Sequence, residues 1–127
     1  MLVLDESGQQ DLRQGKLETI VLSIEDDDGD PYDLSSGYSG AAVVSCGAGH
    51  GAELELDDDA FTFHDGTGSD GRNVEVELTT AQTAALRESS VGMLGETKMA
   101  IDIDVIRDVD GEVVHKVRIP ILLIHEL

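Results

Sequence analysis

Two runs of aspartate, DDDGD at 26–30 and DDD at 57–59, are the first residues whose type and spacing suggest chemistry, because clustered carboxylates are common calcium ligands. An EF-hand loop needs oxygen ligands at its first, third, fifth and twelfth positions around a glycine at the sixth. Placing Gly29 at the sixth position puts Ile24 first and Ser35 twelfth, and the glycine of a later VDGE stretch fails in the same way. The sequence therefore predicts aspartate-rich turns, with adventitious cation binding at either run left open.

The residue types that most often perform catalysis are scattered along the chain. The four histidines, His50, His64, His115 and His125, include no pair four residues apart and no partner at metal spacing from the single cysteine, Cys46. A nucleophilic cysteine needs a base beside it, and the sequence indicates none, so a small buried thiol is expected. We expect His50 and His64, which lie in glycine-rich loops, to be solvated. The chain is predicted to be no enzyme and to have no catalytic residue, metal site or cofactor.

The charge balance excludes several classes of partner. The 127 residues carry 27 acidic and 8 basic side chains, for a net charge of -19. A basic face for nucleic acid or for an anionic membrane cannot be assembled from so few cations. With 3% aromatic residues, a stacking platform for sugars or bases is also absent, and no small-molecule substrate is expected. Molar salt, with a Debye length of about 3 Å, would screen the self-repulsion, so the composition favours a saline setting over the simpler reading of an ordinary acidic protein.

The strand pattern gives the fold class. Apolar and polar residues alternate with period two in four segments, which lie at 20–25, 53–57, 74–78 and 98–105. The run AAVVSC at 41–46 is continuously apolar, as expected of a central strand. Glycine-rich turns separate the segments, and neither a repeat nor a linker is present. A single antiparallel sandwich or barrel of short strands is predicted.

The closing hairpin can be predicted to the residue. In VIRDVDGEVVHKV, a three-residue loop at 109–111 places Asp104 opposite Lys116 and Asp102 opposite Arg118 on the outer face. A shift by one residue would turn charges toward the core. The inner face then carries the aliphatic residues of both strands, which are Ile101, Ile103, Val117 and Ile119.

An earlier hairpin is predicted in SIEDDDGDPYDL by the same loop rule. Gly29 closes its loop, Ile24 lies opposite Tyr32, and Leu22 lies opposite Leu34.

One helix is predicted, over residues 79–88. Thr79 and Gln82 fit the T-x-x-Q capping box, and the alanines that follow favour helix. Two or three turns are too short to be stable alone, so we expect a crossover that covers one end of the core with its alanine face and with Leu86 as its anchor.

The two apolar chain ends are the predicted interface. KVRIPILLIHEL is apolar on both faces after its first residues, and Pro120 marks an edge or bulge of that strand. A strand that is apolar on both sides is covered by another element or by another chain. We expect neighbouring chains to bury five residues, although the two ends could instead cover each other: Leu2, Val3, Leu4, Leu122 and Ile124.

The order of these segments resembles a known family. LRQGKLETIVLSIEDDDGDPYDLSSG, a glycine-rich middle, VEVELTTAQTAAL and a hairpin ending in KVRIPILL resemble the small immunoglobulin-like β-sandwich modules of tailed-virus virions. The nearest are the amino-terminal domain of phage baseplate upper proteins and related tail, fibre-adaptor and head-decoration modules, matched over about residues 12–124. Larger relatives continue into a receptor-binding or fibre domain, and the family has no catalytic residues to transfer.

The resemblance implies a mostly β, antiparallel immunoglobulin-like sandwich with one short crossover helix at about 79–88. A terminal arm at 1–11 would precede a single domain at 12–127. It implies a non-enzymatic structural protein of the virion, which docks symmetrically onto head, neck, tail or baseplate partners and onto copies of itself. The alternative is an independent adhesin or carbohydrate-binding sandwich, and a calcium-dependent or hydrolytic small domain is a third, weaker reading.

Overall fold

A computed structural model of the protein describes residues 3–4, 10–13, 15–45, 52–68, 72–86 and 96–124. These residues form short strands and one short α-helix, α1, together with a 3₁₀ turn at Asp58–Ala60. The strands are β1 (Val3–Leu4), β2 (Gln10–Arg13), β3 (Glu18–Leu22), β4 (Ile24–Glu25), β5 (Tyr38–Ser45), β6 (Ala52–Leu56), β7 (Phe61–Phe63), β8 (Val74–Leu78), β9 (Glu96–Arg107) and β10 (Glu112–Ile124), and α1 is Thr80–Ala85. Among the described residues, no helix is long and apolar enough to cross a membrane.

The strands form two facing sheets and a small accessory pair. The larger sheet has the order β2-β10-β9-β5-β6, the smaller sheet has the order β3-β8-β7, and β1 pairs with β4. β2 runs parallel to β10, whereas the other paired strands are antiparallel. The connection that carries α1 leaves the smaller sheet at β8 and enters the larger sheet at β9. The predicted fold class, a mostly β immunoglobulin-like sandwich with one short crossover helix, is confirmed.

An aliphatic core lies between the two sheets. Alternate residues of β3, β5 and β8 are buried, as the period-two pattern predicted. The four aromatic rings are half-buried at the margin of the core. The largest fully buried side chains among the described residues are all leucine or isoleucine: Leu12, Ile20, Leu22, Ile24, Leu34, Leu78, Leu86, Ile101, Ile103, Ile119, Ile121 and Leu123. Each contributes about 1.5–3 kcal/mol by leaving water, so this core dominates stability.

The closing hairpin has the predicted register but a different loop. Asp104 pairs with Lys116 and Asp102 with Arg118, while their aliphatic neighbours face inward. The loop comprises four residues, at 108–111, so the first strand pair is Arg107 with Glu112. A bulge at Val114 then shifts the register by one residue and restores the predicted pairing from His115 onward. The predicted three-residue loop was therefore wrong, although the inward and outward faces were right.

The earlier hairpin is only half as long as predicted. The amide N–H of Tyr32 donates to the carbonyl of Ile24 at 3.0 Å, as expected, and Gly29 adopts a φ of 85° in the turn. Leu22 does not pair with Leu34, because β3 belongs to the smaller sheet, where Leu22 pairs with Val74 of β8. Long-range pairing with β8 therefore replaces the local ladder.

The helix keeps its predicted start but not its predicted packing. The Thr79 hydroxyl accepts from the Gln82 N–H and the Gln82 side chain accepts from the Thr79 N–H, so the capping box is confirmed. α1 ends at Ala85, and residues 87–88 of the predicted helix lie outside the described residues. The alanines are exposed, whereas Leu86 and Thr83 are buried. The predicted packing through the alanines was therefore wrong, whereas the predicted anchor, Leu86, is 1% exposed and belongs to the core. The Thr83 hydroxyl, which donates to the Lys16 carbonyl at 2.8 Å, is a second anchor of the crossover.

Candidate functional site

The outer face of the larger sheet is the candidate site, and strand alternation builds it. Because the core residues of β5, β9 and β10 occupy one parity, their neighbours point away from the core. Most of these outward positions carry small or aliphatic residues, which is unusual for a chain of net charge -19. The outer face, as the term is used below, comprises Ser39, Ala41, Val43 and Ser45 of β5, Ala100, Asp102, Asp104 and Ile106 of β9, and Lys116, Arg118, Pro120, Leu122 and Ile124 of β10.

Two ion pairs cross the middle of the outer face. Lys116 Nζ lies 3.0 Å from Asp104 Oδ1, and Arg118 Nη1 lies 3.0 and 2.8 Å from the two carboxylate oxygens of Asp102. The Lys116 side chain is 74% exposed and that of Arg118 57%, so the face is open to solvent here. Exposed pairs of this kind stabilise a fold by about 0–1 kcal/mol, so their main effect is to neutralise the face locally.

The carboxyl-terminal end of β10 gives the outer face its apolar margin. Leu122 and Ile124 are half-buried, while Leu123 between them is fully buried. β2 flanks this end of β10, where Asp11 pairs with Leu122 and Arg13 with Ile124. The outward direction of both side chains was predicted correctly, and their burial by a neighbouring chain stays a prediction.

Pro120 is the last residue of β10 before that strand acquires β2 as its second neighbour. The neighbouring position on the β2 side lies outside the described residues, so the edge or bulge predicted at Pro120 stays a prediction.

The amino-terminal part of the predicted interface lies elsewhere. Val3 pairs with Glu25 and Leu4 with Ile24, so β1 lies beside β4. β4 directly follows β3, which belongs to the smaller sheet. Leu2 lies outside the described residues, as do the side-chain surroundings of Val3 and Leu4. The structure thus does not bring the two apolar ends together through these backbone pairs.

The tip of the closing hairpin also exposes apolar surface. Val109 is 86% exposed and Val113 is 44% exposed. Arg107 forms a hydrogen-bonded pair with Asp110 at 2.5 Å across the loop. The hydrogen bond from the Arg107 side chain is the main cause that lowers the pKa of Asp110 from its ordinary value.

An acidic groove of about 220 Å³ lies where the two sheets meet near the start of α1. Its lining residues are Glu55, Leu56, Asp57, Asp59, Ala60, Glu77, Thr79 and Gln82. The Asp57 carboxylate accepts from the Asp59 N–H at 3.1 Å and caps the 3₁₀ turn. Within the described residues, no group of three or more His, Cys, Asp or Glu side chains is close enough to hold a metal ion.

The first aspartate run is a turn, as predicted. The Asp26 carboxylate accepts from the N–H groups of Asp28 and Asp30 at 2.9 and 3.0 Å. A carboxylate oxygen that is occupied by its own backbone has a structural role, and it is one fewer free ligand for a cation.

Two histidines lie within the described residues. His64, which was expected to be solvated, has a side chain that is 40% exposed, and it contacts Glu75 at 2.5 Å where the chain continues from β7 alongside β8. The ring of His115 lies 4.6 Å from that of Tyr32, and partial burial lowers the pKa of His115. The described structure does not extend to the remaining candidates, His50, His125 and Cys46.

A buried asparagine is the polar residue that sequence reasoning missed. Asn73 is fully buried just before β8. Its side-chain oxygen accepts from the Ile24 N–H at 2.9 Å, and its side-chain nitrogen donates to the carbonyls of Ile24 and Tyr32 at 2.8 and 3.0 Å. Asn73 therefore has a structural role, and the only sequence signal for it is a small polar residue directly before an apolar alternation.

Comparison with known proteins gives no family for the chain. No family model matches, and no curated protein matches. Three solved structures align at low identity: domains 4 and 5 of the S-layer protein SbsC (12% identity, TM-score 0.41), the NK cell receptor NKp44 (16%, 0.40) and the RIG-5 IG1 homodimer (6%, 0.40). The alignments cover 98%, 92% and 100% of this chain and 44%, 99% and 97% of those chains, so the chain spans less than half of the S-layer fragment. With TM-scores of 0.40 to 0.41, these alignments carry no inference about the family or the role of this chain.

Proposed function

We propose that this chain is a non-enzymatic structural module of a tailed-virus particle, which docks onto other particle proteins through the outer face of its larger sheet. One observation carries the proposal. The outer face combines aliphatic side chains with locally balanced charge, on a chain that is otherwise strongly acidic. Docking through a more acidic surface would bring carboxylates of the two partners together, whereas this face can be desolvated at a low electrostatic cost.

The end of β10 supplies the apolar anchor of this docking. Leu122 and Ile124 already share part of their surface with β2 and β9, and a partner that covered the rest would remove them from water. Burying an aliphatic side chain contributes about 1.5–3 kcal/mol when it is complete, and somewhat less from a half-buried start. Two such side chains are enough to fix where a partner docks, while the flat face around them provides area.

The described aromatic rings disfavour the alternative of a carbohydrate-binding module. Tyr32 lies against His115, Phe61 stacks on Phe63 with ring centroids 5.7 Å apart, and Tyr38 packs against the core. Sugar or base recognition by stacking needs a ring that presents its face to solvent. The aromatic residues of this chain are occupied with one another and with the core.

The proposal is tested by particle incorporation of a double variant, Leu122→Asp with Ile124→Asp. A matched control, Thr19→Asp with Thr62→Asp, adds the same charge to exposed positions of the smaller sheet. Both variants are first compared with the wild type by circular dichroism and thermal melting. Tagged copies are then produced during infection by the virus that encodes the chain, and the particles are purified and quantified.

The β10 variant should be lost from particles while the control is incorporated at the wild-type level. Normal occupancy by the β10 variant would show that Leu122 and Ile124 only complete the core, and it would overturn the proposed docking face. Loss of both variants to the same extent would also count against it, because docking would then depend on total charge and not on this face.

A further inference from the structure

The charges of the outer face are arranged in two rows of opposite sign. Lys116 and Arg118 form a cationic row on β10, and Asp104 and Asp102 form a carboxylate row beside it on β9. The rows are parallel, adjacent and in register, because each cation pairs directly across the ladder with one carboxylate. A surface with this pattern is electrically neutral as a whole but carries a fixed polarity from one strand to the next.

The opposite side of the sandwich has no such pattern. On the outward side of the smaller sheet, Glu77 pairs with Thr19, and Glu75 pairs with Val21 and Thr62. Arg72 and His64 contact Glu75 at 3.4 and 2.5 Å, but no row of cations runs along a neighbouring strand beside Glu75 and Glu77 in the described part of this sheet. Two copies of the chain that met through the smaller sheet would therefore place acid against acid.

We infer that the partner of the outer face is a second copy of this chain, joined across a twofold axis that runs parallel to the strands between β9 and β10. This inference rests on the docking face of the proposed function and identifies the protein that binds to it. Rotation by 180° about this axis brings the outer faces of the two copies together. β10 of each copy then lies over β9 of the other, and each residue keeps its position along the strand direction. Lys116 of each copy then lies over Asp104 of the other, and Arg118 lies over Asp102.

The two charge rows favour a twofold axis parallel to the strands over one that is perpendicular to them. A twofold axis perpendicular to the strands would place the cationic row of one copy over the cationic row of the other. With the axis along the strands, the four charges of each rung alternate in sign around a square, so every charge has an opposite neighbour in both copies. Closed twofold symmetry uses the same patch twice, which a face with complementary halves satisfies.

The overlap is small, so the pair should be weak. The three strands of the outer face, about 4.8 Å apart and roughly eight residues long, present a projected area on the order of 400 Å² per copy. This area corresponds to the low end of specific interfaces, which are reversible. An assembly that repeats the contact by symmetry gains affinity through multivalency without needing a stronger pair.

The test exchanges the signs of the two rows. The acidic-row variant carries Lys116→Glu and Arg118→Glu in the cationic row, so both of its rows are acidic. The basic-row variant carries Asp102→Lys and Asp104→Lys in the carboxylate row, so both of its rows are basic. A swapped variant carries all four substitutions, so it keeps both intrachain ion pairs and the self-complementary pattern. Sedimentation of each purified protein, and of an equimolar mixture of the two row variants, is measured over a concentration series at an ionic strength of about 0.15 M, where the Debye length is about 8 Å.

The wild type and the swapped variant should reach twice the monomer mass of 13.5 kDa as concentration rises. Each row variant alone should dimerise more than about tenfold more weakly, because like charges now face each other, and the mixture should recover the dimer. The inference is overturned if the wild type stays monomeric, or if folded row variants dimerise as well as the wild type. It is also overturned if the mixture of folded row variants does not associate.

These outcomes are distinct from failure of the proposed function. A wild type that is monomeric in solution but depends on Leu122 and Ile124 for incorporation into particles would remove the second copy as partner and leave the particle role intact. A dimer that forms by the charge rows, in a chain absent from particles, would support the inferred contact and contradict the particle role.

Discussion

The side-chain amide of Asn73 hydrogen-bonds both the N–H and the carbonyl of Ile24, which lies 49 positions earlier in the chain. It also donates to the Tyr32 carbonyl, and its own backbone N–H donates to the carbonyl of Leu22 at 3.0 Å. The backbone N–H of Asn73 thus contacts the end of β3, while its side chain joins the start of β4 to the return of the first hairpin. It does so at the point where the local ladder gives way to pairing between β3 and β8.

Replacing Asn73 with alanine should destabilise the protein by about 2–4 kcal/mol, because the Ile24 N–H and the Tyr32 carbonyl lose the Asn73 side chain as a partner, while the Ile24 carbonyl keeps the Tyr32 N–H. The free energy of unfolding is measured by urea titration. Thr62→Ala, at an exposed position of β7, is the control and should change stability by less than about 0.5 kcal/mol. A loss of similar size in both variants would show that the Asn73 hydrogen bonds contribute little.

Gly40 and Phe61 form a second specific contact between the sheets. A Cβ at Gly40 would overlap the ring of Phe61, so Gly40→Ala should cost about 1–3 kcal/mol through overpacking. Phe61→Leu in the Gly40→Ala background should recover part of that loss, since a smaller side chain leaves room for the methyl group. Additive effects in the double-mutant cycle would mean that the two residues do not share this space.

The stability of the protein should depend on His115 in mildly acidic solution. Burial lowers the pKa of His115 in the folded state, so the unfolded chain binds more protons than the folded chain in the window just below the ordinary histidine pKa of about 6.5. Stability therefore rises with pH through that window, and it is lost as pH falls from about 6.5 toward the lowered pKa.

Unfolding titrations between about pH 5 and 7 test this dependence. His115→Phe keeps a ring against Tyr32 and removes the titration, so its stability should change less with pH across the same range. An identical pH slope in the variant would assign the dependence to other groups.

The thermal midpoint of the wild type should be several degrees higher in molar salt than in dilute buffer, because salt screens the repulsion among carboxylates at a net charge of -19. Asp28→Lys with Asp59→Lys, at two exposed positions, makes the net charge less negative. The thermal midpoint of this variant should therefore rise less with salt. Equal midpoints of the wild type in both solutions would remove the reason to expect a saline habitat and would leave the fold unaffected.

The features that the sequence predicted are those determined by local periodicity. Alternating aliphatic residues set the inner face of β9 and β10, and Thr79 with Gln82 set the start of α1, because both signals depend on neighbours within a few residues. The four-residue loop and the bulge at Val114 were missed because they shift the strand register by one residue in opposite directions. The alternation of inward and outward side chains after the bulge is therefore the same as for a three-residue loop without a bulge.

Other features depend on contacts that local patterns do not contain. Leu22 pairs with β8 and not with Leu34, and Asn73 becomes a buried bridge, only after two distant segments meet. Leu86 was predicted as the anchor of α1 and is buried, but the second anchor, Thr83, was missed because its acceptor, the Lys16 carbonyl, comes from a loop 67 positions earlier. The candidate face was indicated in part: the charge pairs and the outward Leu122 and Ile124 followed from the hairpin, whereas the apolar residues of β5 beside them required the order of the sheet.

The proposal that this chain is a structural module of a virus particle is tested most directly by the amount of this protein in virus particles released by cells that carry its gene. Particles are purified to constant composition, and the ratio of this chain to the major capsid protein is determined by quantitative mass spectrometry with labelled peptides. A structural module that docks by symmetry should be present at a fixed ratio that does not change with further purification. A chain found in infected cells, but lost from particles as purification proceeds, would contradict the account.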